Sequence, residues 1–149
     1  MEISISSPIT GAAGTDPVAH AAALAHDVQN LIAEGVPAKN ISIAGFSRGG
    51  FIAAYMSHLI GDEPVNVVIL AGCAGWVQER PDIRLHGRVL SIYEVTDFVG
   101  SCEELATRSA GLSEYREIAV TTGRSHGAFY TPDPVWVEPL LAWISHKAE

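Results

Sequence analysis

Strand-like and helix-like segments alternate along this chain from Glu2 to Lys147, and that alternation admits few folds. "EISIS" (2–6) alternates apolar and polar residues and predicts a short strand. "NISIAGF" (40–46), "VNVVILAG" (65–72), "RVLSIYEV" (88–95) and "YREIAVTT" (115–122) predict four more. The run at 65–72 is almost wholly apolar, as expected of a central strand covered on both faces. Between the first two strands, Asp16 as N-cap and Pro17 at the first helical position open a helix. Its apolar face is Leu24, Val28, Leu31 and Ile32, and Gly35 and Pro37 stop it. Phe51, Ile52, Tyr55, Met56 and Leu59 line a second helix that ends at Gly61. Ser101 with Glu104 reads as a capping box opening a short helix. "EPLLAWISHK" (138–147) closes the chain, with Pro139 setting its start near Glu138 rather than Asp133. The order βαβαβ followed by βαβα predicts an α/β fold. It is a three-layer sandwich whose mostly parallel sheet has about five strands.

A length of 149 residues suits one domain spanning 1–149 with a real core. The chain is 48% hydrophobic and 17% charged, and it carries no repeat or low-complexity linker. A formal charge of −8 excludes the usual nucleic-acid binder, whose partner's phosphates it would repel. No apolar run approaches the roughly 18 residues of a membrane span. "MEISISSP" lacks the basic and apolar regions of a signal peptide, so the cytoplasm is the default expectation. In that compartment Cys73 and Cys102 are expected as buried free thiols, although both follow strand ends and a bridge is geometrically conceivable. The histidines show no metal-ligand spacing, and no cofactor motif occurs.

The stretch "SIAGFSRGGF" (42–51) carries the chemistry. A serine nucleophile must stand clear of the backbone, face a base and have amide donors close by. A sharp strand-to-helix turn supplies all three, and glycines two residues either side allow its close packing. Ser47 lies between Gly45 and Gly49 at such a junction, and the following Arg48 N–H points at the developing oxyanion. The alternative is a glycine-rich turn that only packs well. A base belongs on a loop leaving the carboxyl end of another strand. His20, His26, His58 and His146 lie in helices, and His86 precedes a strand; His126, in "TGRSHGAF", follows the fifth strand. Asp97 directly follows the fourth strand and is the best acid to orient the imidazole, with Glu94 as the fallback.

The order Ser47, Asp97, His126, with the serine in G-x-S-x-G, resembles the α/β-hydrolase family over about residues 17–143. That resemblance implies a minimal hydrolase domain working through an acyl-enzyme. Ser47 would be the nucleophile, His126 the general base and then acid, Asp97 its orienter, and Arg48 N–H one oxyanion donor. Family members place several strands before the elbow; here one strand and one helix precede it. An uncovered strand beside Ser47 would be an aggregation hazard. Either 2–6 occupies the neighbouring slot, which is the favoured arrangement, or a second copy covers the edge as a homodimer. In the favoured arrangement an N–H near Ile9, Thr10 or Gly11 serves as the second oxyanion donor. Only "CAGWVQERPDIRLHG" (73–87) stands where many relatives insert a cap, so an open, lidless site is expected. Phe46, Trp76, Phe98 and Phe129 are candidates for a shallow acyl pocket, with core packing the favoured reading for the last three.

The leading expectation is a small carboxylesterase-like serine hydrolase acting on a small-molecule ester, with no cofactor and with neither nucleic acid nor membrane as partner. A thioesterase or acyltransferase would use the same three residues. A binding or assembly module that has lost its oxyanion hole is the reading from another class.

Overall fold

A computed structural model of the chain describes residues 145 and below except 1–2 and 6–15, with 3–5 as backbone only. The elements run β1 (Ile3–Ile5), α1 (Pro17–Ala33), β2 (Ile41–Phe46), α2 (Arg48–Ile60), β3 (Asn66–Leu70), α3 (Gly75–Gln78), β4 (His86–Glu94), α4 (Glu103–Thr107), β5 (Gly111–Val120) and α5 (Pro134–Ile144). Short 3-10 turns occupy Ala38–Asn40 and Ser125–Phe129. The five strands form one parallel sheet in the order β1-β2-β3-β4-β5. Ile3–Ile5 pairs with Ile41–Ile43, so β1 takes the slot beside the Ser47 strand that the sequence favoured for it.

Strand order explains the layers. When successive parallel strands are neighbours throughout, right-handed crossovers deliver the connecting helices to one face. That face carries Ala21, Ala25 and Val28 of α1, Phe51, Ile52 and Met56 of α2, Val77 of α3 and Leu105 of α4. The fifth helix leads to no further described strand and is free to cover the opposite face. There Trp143, with Trp136, Leu140 and Ile144, packs over Val68, Leu70, Leu90 and Ile92. Strand β3, covered on both sides, is buried along its whole length.

The innermost face of α1 differs from the expected one. Ala21, Ala25 and Val28 are buried, while Leu24, Leu31 and Ile32 flank the core. α1 packs on α2, which contributes Ala53 and Ala54, and small side chains let two helices approach closely.

Three local expectations are corrected. The last helix starts at Pro134 rather than near Glu138 and keeps Pro139 inside it. The Asp133 carboxylate caps it by accepting from Val135 N at 2.9 Å, as Asp16 caps α1. Pro139 removes one bond, to the carbonyl of Val135, and the apolar packing of α5 outweighs that loss. At α4 the capping box does not form. Cys102 is the N-cap residue, and Ser101 Oγ accepts from Glu103 N at 2.9 Å. The Glu117 carboxylate on β5 takes the place of Glu104, accepting from Cys102 N at 2.7 Å and from the Ser101 hydroxyl.

Cys73 and Cys102 are joined in a disulfide, with Cα atoms 5.3 Å apart, rather than left as free thiols. Strands β3 and β4 are adjacent and parallel, so the loops leaving their carboxyl ends bring the two residues together. Disulfides persist in oxidising compartments, and the cytoplasmic expectation draws no support from this bridge. Among the described residues no helix is long and apolar enough to cross a membrane.

The bridge closes a sequence separation of 29 residues. Replacing both cysteines by alanine is expected to lower the unfolding free energy by about 3–4 kcal/mol in urea titrations. Thiol titration of the unfolded, unreduced protein should find no free thiol; two would contradict the bridge.

Candidate active site

Ser47 forms a one-residue hinge between the end of β2 and the first residue of α2, at φ 57° and ψ −116°. A positive φ is uncommon for a residue with a side chain and is held only where its surroundings enforce it. Ser47 N donates to Leu70 O on β3 at 2.8 Å, and Ser47 O accepts from Phe51 N at 3.1 Å. These bonds tie the hinge to the central strand and to the first turn of the helix.

The glycines make the hinge possible, though not in the symmetric way the motif suggests. A Cβ on Gly45 would lie 1.9 Å from Gly49 O. A Cβ on Gly50 would lie 2.8 Å from Gly72 Cα, and one on Gly72 would meet Gly50 in return. At Gly49, the second glycine of G-x-S-x-G, a Cβ would meet nothing within 4 Å. The close approach belongs to Gly45, Gly50 and Gly72.

The structure brings the three sequence candidates together. His126 Nε2 lies 2.9 Å from Ser47 Oγ, and its Nδ1 lies 2.6 Å from Asp97 Oδ2. A carboxylate only accepts, so against ionised Asp97 the imidazole donates from Nδ1 and can accept at Nε2 from the Ser47 hydroxyl. The Asp97 side chain is fully buried and its Oδ1 accepts from Val99 N at 3.1 Å. The imidazole is about a quarter exposed. Parallel strands put all their carboxyl ends on one edge of the sheet, so residues following β2, β4 and β5 meet there.

Glu94, the fallback acid, does a different job. It is wholly buried, and both oxygens accept from the loops around it. Oε1 takes Thr96 N at 2.5 Å and Thr96 Oγ1 at 2.8 Å. Oε2 takes Thr122 Oγ1 at 2.8 Å, Arg124 N at 3.1 Å and Ser125 N at 3.0 Å. The backbone bond from Thr96 is the largest influence on its carboxyl. With the other donors it outweighs the cost of burial and lowers the pKa from the ordinary 4.5 to about 2.

The pocket candidates separate. The Phe46 ring lies 4.9 Å from the His126 ring and supports it. Phe129 is buried and packs against Phe46 and Trp136, so it belongs to the core. Phe98 is 92% exposed, beside Asp97 in sequence. Trp76 is partly exposed, packs on Phe51, and has the Arg48 guanidinium 5.4 Å above its ring. Ile9, Thr10 and Gly11 lie outside the described residues, as does His146. Sequence reasoning missed Tyr130, which is 71% exposed and stands edge-on to both Phe46 and His126. Its place four residues after His126 was the available signal. Among the described residues no cluster of three or more His, Cys, Asp or Glu could hold a metal ion.

No protein-family model matches the chain, and no curated protein matches its sequence. Its structure is similar to that of Arabidopsis thaliana SOBER1, at 18% identity and a TM-score of 0.64 over 87% of this chain and 63% of that one. It is also similar to a carboxylesterase from Mesorhizobium loti, at 19% identity and 0.56 over 88% and 62%. A third likeness is to YbtT, the type II thioesterase of the yersiniabactin pathway, at 15% identity and 0.53 over 88% and 74%. The chain has the α/β-hydrolase fold. It spans less than two thirds of the length of SOBER1.

Gly50→Ala should destabilise the protein by about 1–3 kcal/mol through overpacking, and Gly45→Ala by more, while Gly49→Ala stays close to wild type in denaturant titrations. Equal costs at Gly49 and Gly50 would contradict the packing described. Because the folded-state pKa of Glu94 is depressed, its contribution to stability is present above pH ~4.5 and is lost as pH falls toward ~2. Unfolding midpoints should fall over that window in wild type, and less steeply in Glu94→Gln.

Proposed function

We propose that the protein is a serine hydrolase that cleaves small carboxylic esters through an acyl-enzyme on Ser47. The observation that carries this reading is the pair of hydrogen bonds, 2.9 and 2.6 Å, linking a serine held at positive φ to a buried carboxylate through one imidazole.

Ser47 Oγ attacks the ester carbonyl carbon while its proton passes to His126 Nε2. The carbonyl oxygen becomes an oxyanion, and the Arg48 N–H, first amide of α2, donates to it in the favourable field of the helix N-terminus. The imidazolium that forms is offset by Asp97, then gives its proton to the departing alcohol, leaving Ser47 acylated. Water repeats the sequence to release the acid and restore the serine. The second oxyanion donor that the sequence places near Ile9, Thr10 or Gly11 lies outside the described residues.

The connection from β3 to β4 holds only the four-residue helix α3. An open site of this kind favours short acyl groups over long lipid chains, with Trp76 on α3 and Phe98 and Tyr130 on neighbouring loops as exposed aromatic groups. The disulfide favours an oxidising compartment for this activity. Thioester cleavage is the second reading, favoured by the structural likeness to the thioesterase YbtT, and would use the same residues.

Hydrolysis of p-nitrophenyl acetate tests the proposal. Ser47→Ala should lower kcat by about 10³-fold or more, and Asp97→Asn by about 10⁴-fold through the wrong imidazole tautomer. Equal rates in wild type and Ser47→Ala would remove the esterase reading.

A further inference from the structure

We infer that Glu94 is a positioning residue, a buried bracket that sets the distance between the Asp97 loop and the His126 loop. The inference rests on the proposed roles of Ser47, Asp97 and His126.

The two loops leave neighbouring strands, β4 and β5, and each must deliver one side chain to a meeting point accurate to a fraction of an ångström. Apolar packing anchors the far ends of these loops, where Val99, Ala128 and Phe129 are buried, but not the turn before Asp97 or the residues just before His126. Val95 is about half exposed, Thr96 is exposed, and Phe98 is almost fully exposed. One carboxylate does the holding instead. Its Oε1 fixes the turn at Thr96, one residue before Asp97, and its Oε2 fixes Arg124 and Ser125, the two residues before His126. Thr122 adds a hydroxyl bond to Oε2 and also accepts from Arg124 N at 3.1 Å. The Glu94 carbonyl accepts from Asp97 N at 3.0 Å, so the same residue holds the acid's backbone as well. Across the gap Ser125 Oγ donates to Thr96 O at 3.3 Å, tying the loops directly. Ser125 has φ 52°, an unfavourable angle for serine, and its N–H bond to Glu94 helps to hold it there.

Five donors converge on two acceptor oxygens, and no neutral side chain reproduces that. A glutamine offers one oxygen and one NH₂ group, so whichever way it turns, one loop meets a donor instead of an acceptor. An aspartate is one methylene too short to span both loops. The well-lowered pKa of Glu94 accords with this crowd of donors.

The test combines turnover with a readout that needs none. Glu94→Gln should lower kcat for p-nitrophenyl acetate by about 10–100-fold with KM within about twofold of wild type. Proton NMR should show a far-downfield Nδ1–H of His126, bonded to Asp97, in wild type and Ser47→Ala, but weakened or lost in Glu94→Gln. Thr122→Val keeps the charge, removes one hydroxyl donor, and should lower kcat by roughly 3–10-fold. If Glu94→Gln does not fold, Thr122→Val carries both readouts. Unchanged kcat and an unchanged resonance in the variants, in an active wild type, would overturn the bracket and leave the esterase reading standing. An inactive wild type whose resonance is lost in the variants would overturn the esterase reading and leave the bracket.

Discussion

Between β2 and α2 the backbone passes from strand to helix within one residue, and it does so only because three glycines let main chains touch. Gly45 lies under the first turn of α2, and Gly50 lies against Gly72 at the end of β3. A methyl group at any of the three would push the helix off the sheet. With the helix seated, Ser47 is forced to positive φ and its hydroxyl stands clear at the sheet edge. The bond from Ser47 N to Leu70 O then ties this hinge to β3, which is buried along its whole length. Everything else in the site is arranged around that fixed point.

The arrangement changes character from the core outward. Below the sheet edge, two apolar cores hold α1 through α4 on one face and α5 on the other. Above it the loops are anchored in the core by single buried side chains such as Val99, Ala128 and Phe129, and covalent and polar ties hold the turns between them. The disulfide joins the loop after β3 to the segment leading into α4. Glu117 holds that segment from β5 through Cys102 N and the Ser101 hydroxyl. Glu94 holds the turns before Asp97 and His126. Buried carboxylates are costly unless fully hydrogen-bonded, and Glu94 meets that condition with five donors.

Much of this is legible in the sequence, for reasons that also mark its limits. Strand and helix periods are local properties, so the element order and the parallel sheet can be read from residue spacing. Ser47, Asp97 and His126 can be grouped from the sequence alone, because each follows a strand, and parallel strands end on one edge. What escapes such reading are properties of pairs distant in sequence. Gly50 against Gly72 is a contact between two elements, and the motif draws attention to Gly49 instead. Whether Cys73 meets Cys102 depends on how two loops leave adjacent strands. Pro139 follows a local rule that the Asp133 cap and the packing of α5 override. Glu94 is recognisable as an acid near the site, but its five donors come from four residues spread from Thr96 to Ser125.

The central claim is that Ser47 is an activated nucleophile. Intact-mass measurement after incubation with a fluorophosphonate, followed by peptide mapping, tests it without any choice of substrate. The account predicts a single covalent addition located on Ser47 and absent from Ser47→Ala. A folded wild-type protein that takes up no label, or carries it on another residue, would contradict it.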